Sequence, residues 1–111
     1  MRKVDLDLGR DRDLVRRLIG KLASIRVERA ILFGSRVRGD ALLSSDLDLI
    51  LVSPDFEGVF FTDRPMAVVD AWDFEGAPPL EVLCYTPEEF ERKRARIGIV
   101  RTALEEGIAV V

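Results

Sequence analysis

Histidine is absent from this chain of 111 residues, and so are asparagine and glutamine. Without histidine there can be no imidazole general base, no Ser-His-Asp triad and no zincin-type metal site. Catalysis, if any, must run on carboxylates, hydroxyls, arginines and metal ions. Cysteine occurs once, as Cys84, which excludes an internal disulfide and a cysteine-based zinc site. Nothing near it in sequence would lower its pKa, so it reads as core filler. No apolar run reaches membrane-spanning length. The N-terminus, Met1-Arg2-Lys3-Val4-Asp5, also lacks the apolar stretch of a secretory signal, and the expected location is the cytoplasm. A basic excess is missing too. With 17 Lys and Arg against 20 Asp and Glu, the net charge is −3, which argues against a general nucleic-acid binder. The lack of Asn and Gln beside many arginines fits the composition of heat-adapted proteins.

What is present suffices for a core under a charged surface. Hydrophobic residues make up 48% and charged residues 33%, so disorder is not expected, and the length fits a single domain over residues 1–111. Leu14, Val15, Leu18, Ile19 and Leu22 recur at helical spacing and predict a helix from about Asp11 to Ala23, started by Gly9 or Asp11. Val27 to Phe33 reads as a short buried strand ending at Gly34. Ser35 to Leu43 reads as a turn with one helical turn, broken at Gly39. Asp46 to Val52 reads as a strand that becomes wholly apolar and is ended by Pro54. The stretch from Phe56 is ambiguous until Pro65 to Trp72, which looks helical with proline in its first turn. Pro78-Pro79 marks a loop and Leu80 to Tyr85 a further strand. Thr86-Pro87-Glu88-Glu89 spells a capping box for a helix to about Arg96. Gly98 separates it from a last helix ending near Gly107, with Ile108 to Val111 as a terminal edge strand. Strands alternating with helices give an α/β or α+β sandwich around a small sheet.

The chemistry concentrates between Gly34 and Asp48. Residues two apart on a strand share a face, with Cα atoms about 6.5–7 Å apart, so Asp46 and Asp48 project together. Acidic residues are depleted in strands, and two on one face repel unless a cation lies between them. The bland alternative is a solvated edge strand. Magnesium takes oxygen ligands and shares its shell with substrate phosphates, and two-metal phosphoryl chemistry calls for a further acidic ligand. Glu81, opening the next strand, is the candidate, with Asp70 and Asp73 as weaker ones. Gly34 lets backbone amides approach phosphate oxygens and Ser35 adds a hydroxyl. Arg36 and Arg38 carry the guanidinium geometry that suits phosphate, and Ser45, with Ser44 behind it, stands just before the first aspartate. Gly-Ser, ten residues, then Asp-x-Asp would match by chance in roughly one chain of this size per thousand.

Leu32-Phe33-Gly34-Ser35-Arg36-Val37-Arg38-Gly39 followed by Ser45-Asp46-Leu47-Asp48-Leu49 resembles the nucleotidyltransferase superfamily related to DNA polymerase beta. More narrowly, it is similar to the minimal nucleotidyltransferases of archaea and bacteria. Weaker likeness runs through Cys84 to Phe90 and Ala103 to Gly107. The resemblance implies a small mixed sheet flanked by helices, with Mg²⁺ and ATP meeting at Gly34, Ser35, Asp46 and Asp48. It also implies a third acidic residue on a later strand, a position held at best by Glu81 where aspartate is frequent. Many such proteins pair with a helical toxin of the HEPN class and act as its antitoxin, in some cases by attaching AMP to it.

Two functions compete. In the first, the chain transfers AMP from Mg²⁺-ATP to a hydroxyl, most simply a tyrosine on a HEPN-type partner, since so short a chain leaves no room for its own acceptor-recognition domain. In the second, it binds nucleotide but neutralises its partner by occlusion. Adenylylation of a small molecule ranks below both, because such enzymes usually add a substrate domain.

Overall fold

A computed structural model of the protein describes residues 8–39 and 46–111. Four strands, β1 (Arg29–Phe33), β2 (Leu47–Val52), β3 (Leu80–Tyr85) and β4 (Ile108–Ala109), form one sheet in the order β3-β2-β1-β4. β2 and β3 run parallel while β1 is antiparallel to both β2 and β4, so the sheet is mixed. Helices α1 (Leu8–Lys21), α3 (Arg64–Ala71), α4 (Pro87–Arg94) and α5 (Ile99–Glu106) flank it, and α2 (Ser35–Arg38) is one turn between β1 and β2. Two short 3-10 turns, Pro54–Phe56 and Phe61–Asp63, fill the stretch that the sequence left ambiguous.

Alternation along β2 sorts the layers. Leu47, Leu49 and Leu51 join Ala30, Leu32, Val82 and Cys84 in a core closed by Val15, Leu18 and Leu22 of α1 and Val68 of α3. The intervening residues Ile50 and Val52 pack with Ile31 and Tyr85 beneath Phe90 of α4 and Val100 and Ala103 of α5. From Leu49 onward β2 is therefore buried on both faces, which explains the apolar run Leu49 to Val52. The capping box forms as expected, with the Thr86 hydroxyl accepting from the Glu89 N–H and the Glu89 carboxylate accepting from the Thr86 N–H. Burial raises the Cys84 thiol to about 12, which keeps it inert. Among the described residues, no helix is long and apolar enough to cross a membrane.

Of the two expected starts for the first helix, Asp11 is not the one used. The described part of this helix already includes Leu8, so Asp11 lies inside it and is buried. Asp11 falls four residues before Val15 and seven before Leu18, on the apolar stripe. A charge there needs a partner, described below.

Glu89 does a second job. Its carboxylate pairs with Arg64, which also donates to the Val59 carbonyl at 2.9 Å and the Cys84 carbonyl at 3.1 Å. The Arg64 hydrogen bond, aided by the Thr86 N–H, holds the Glu89 carboxyl at about 2, below its usual 4.5. A depressed carboxyl contributes stability that is complete above the unfolded value and is lost as pH falls through the folded one. The protein is thus expected to lose on the order of 1–2 kcal/mol between pH 5 and pH 2 through this group, discounted for its solvent contact. Glu89→Gln should flatten that part of a melting-temperature profile.

Candidate active site

The Gly-Ser turn is built by a conformation that only glycine tolerates. Gly34, at the end of β1, has φ 85° and ψ −162°, a region essentially closed to residues with a Cβ. A Cβ at this position would also lie 2.1 Å from Asp48 Oδ2. Backbone and carboxylate are therefore packed directly against each other. The Gly34 carbonyl accepts from the N–H groups of Val37 and Arg38, each at 3.1 Å, which turns the chain into α2 with Ser35 as its first residue. Gly34→Ala is expected to destabilise the fold by about 1–3 kcal/mol and to displace Asp48. A urea titration would check the first effect, and nucleotide binding the second.

Register places the carboxylates. Asp48 is paired with Phe33 on one side and with Glu81 on the other, and strands lie about 4.7–4.9 Å apart. Directly opposed residues share a face, so Asp48 and Glu81 project side by side at the open end of the sheet. Asp46 stands exposed just before β2. The Asp48 carboxyl has a raised proton affinity because burial disfavours its charge, and the charges of Glu81 and then Asp46 add to that, while Arg38 opposes it. Both other acidic residues therefore act on Asp48, and Arg38 faces the same group. Arg38 also lies 3.6 Å from Glu106.

Arg36 is placed differently. Its Nε donates to Asp11 Oδ2 at 2.9 Å and its Nη2 to Asp11 Oδ1 at 3.1 Å, with the two side chains 8% and 2% exposed. This bidentate pair ties α2 to α1. Arg36 also lines a cavity of about 390 Å³ with Arg10 and the segment 76–79, which leads into β3. Sequence reasoning missed Asp11 as the partner, although a carboxylate on an apolar helical stripe was the signal. Asp70 and Asp73, in α3 and just after it, are exposed and belong to the layer on the other face of the sheet from Asp48. Ser44 and Ser45 lie outside the described residues.

The sequence profile of the nucleotidyltransferase domain matches residues 15–110. The chain belongs to the nucleotidyltransferase domain family. A solved structure of a provisionally assigned nucleotidyltransferase from Sulfolobus solfataricus superposes on it with a TM-score of 0.57. That match covers 92% of this chain and 77% of the other at 20% identity, and it establishes likeness of fold. Among curated protein sequences none matches significantly. Membership supports nucleotidyl transfer as the reaction class, which such domains generally carry out on a nucleoside triphosphate with a divalent metal.

The site fits a hard divalent cation by its donor chemistry. It offers oxygen ligands only, and the carboxyl of Asp48 is held back from ionising first by burial and then by the charges of Glu81 and Asp46. Among the described residues, no three acidic groups are gathered tightly enough to hold an ion by themselves. Magnesium is ordinarily held by one or two carboxylates plus substrate phosphates, and that is the arrangement Asp46, Asp48 and Glu81 allow.

Proposed function

We propose that the protein transfers AMP from ATP to a hydroxyl on a partner protein, most simply a tyrosine of a HEPN-type toxin, and so acts as that toxin's antitoxin. The observation that carries this reading is the Asp48 carboxylate, pressed against the Gly34 backbone and registered beside Glu81. This junction is where a triphosphate held by a backbone turn meets acidic metal ligands.

Asp46 and Asp48 would hold magnesium, with Glu81 completing the acidic set. When bound, the cation neutralises the triphosphate and polarises the α-phosphate. The Gly34 turn brings backbone close to the phosphates without a side chain in the way, and the Ser35 hydroxyl donates to a phosphate oxygen. Arg38 balances the acidic cluster from its edge. Glu81, exposed beside Asp48, receives the proton of the acceptor hydroxyl as its oxygen attacks the α-phosphorus. The bond to the bridging oxygen breaks, and pyrophosphate leaves with the electron pair. Arg36 acts by holding α2 in place.

The test combines the protein, a HEPN-type partner, magnesium and ATP labelled at the α-phosphate. Label is expected on a partner tyrosine. A partner that is silenced without label would replace transfer by occlusion, and label on a small molecule alone would replace the acceptor class.

A further inference from the structure

We infer that the groove between α4 and α5 is the docking site for a segment of a partner protein that presents a large apolar side chain beside carboxylates. The groove encloses about 540 Å³. Its apolar surface comes from Phe61, Tyr85, Ile97 and Ile99. Ile97 is 93% exposed and Ile99 51% exposed, and neighbouring Phe60 is more than four-fifths exposed as well. Large apolar side chains gathered so openly within a polar rim mark an interaction surface.

The rim decides what binds. Arg92, Lys93 and Arg96 line it together with Glu89, whose carboxylate is already paired with Arg64. Arg92 is engaged by Glu88 at 2.9 Å, whereas among the described residues neither Lys93 nor Arg96 has an ion-pair partner. A basic rim over an apolar floor is complementary to an acidic segment with an apolar anchor. Nucleic acid fits less well. Bases stack on aromatic faces, yet Tyr85 is buried with its ring tilted 5.4 Å from that of Phe61, and the most open apolar side chain lining the groove is Ile97.

Position joins this groove to the site. Tyr85, Leu83 and Glu81 alternate onto one face of β3, the face that carries Asp48. Tyr85 and Glu81 are four residues apart, roughly 13 Å along a strand. A segment anchored at Tyr85 therefore lies on the carboxylate side of the sheet, within reach of a flanking acceptor. Identifying the occupant with the acceptor protein rests on the transfer reading above, while the docking itself does not.

A display library of random linear peptides, selected on the full chain, tests this. Selected peptides should pair an aromatic or large aliphatic residue with Asp or Glu. Lys93→Glu with Arg96→Glu should weaken them at least about tenfold, as loss of charge complementarity does at interfaces, and leave Mg²⁺-ATP binding intact. Asp48→Asn should leave peptide affinity unchanged, so failure of the transfer reading would not be mistaken for failure of docking. Peptides without acidic residues, equal affinity for the charge-reversed variant, tighter binding of single-stranded RNA, or a dimer of the chain occupying the groove would each overturn the assignment.

Discussion

Replacing Asp48 by asparagine is expected to reduce nucleotidyl transfer by at least about 10²–10³-fold, the scale of losing a group that organises charge in the transition state, while making the protein slightly more stable. The two effects have one cause. The folded state raises the proton affinity of Asp48 through burial and the neighbouring Glu81 and Asp46 charges. A carboxyl with a raised folded value favours the fold while protonated, and that contribution is lost as pH rises through the folded value. Near neutrality the ionised group therefore costs stability, and asparagine removes the charge at similar size. The gain should be about 0.5 kcal/mol once solvent screening is allowed for, or roughly 2–4 °C in melting temperature, measured with EDTA present. Stability traded against function is common at active sites. Transfer that survives in Asp48→Asn, or a marked fall in melting temperature, would show that Asp48 is a structural residue.

Asp11→Ala is expected to have the largest effect on stability. It would remove the buried carboxylate that the Arg36 guanidinium grips with two bonds, and breaking such a pair from one side costs about 3–5 kcal/mol. The melting temperature should fall by roughly 10–25 °C. Asp11→Leu combined with Arg36→Met removes both charges and should recover most of the loss, because an apolar pair of similar volume is often neutral. Arg36→Lys should itself be destabilising, since an ammonium cannot reproduce the two-pronged bond. Chemical denaturation of the three variants checks this, and an Asp11→Ala loss below about 1 kcal/mol would reduce the pair to a surface-like contact.

The elements could be read from the chain where local chemistry was decisive. Leu80–Tyr85 and the capping box at Thr86 fall where expected because proline and threonine punctuate them. Ser35–Arg38 stops at Gly39, which adopts φ 83°. Glu81 was legible as a candidate only through its place at the start of a strand. Its pairing with Asp48 needed the parallel register of β2 and β3, which no local pattern encodes. Two long-range ion pairs were out of reach for the same reason. Asp11 and Arg36 are 25 residues apart, as are Arg64 and Glu89. Arg36, read as a phosphate ligand from its place beside Gly34-Ser35, proves tied to α1. Charge at a motif tells which chemistry is available, but only packing tells where it is spent.

Arg64 has a consequence beyond its ion pair. Tyr85 offers its carbonyl inward, to the N–H of Ser53, so the carbonyl of Cys84 points outward from β3, the outermost strand on that side of the described sheet. Arg64 occupies that oxygen. An unguarded strand border is a template on which other chains can polymerise, and here a guanidinium, clamped by Glu89, seals part of it. Loosening that seal in acid, as Glu89 takes up a proton, would open a route to fibrous self-association.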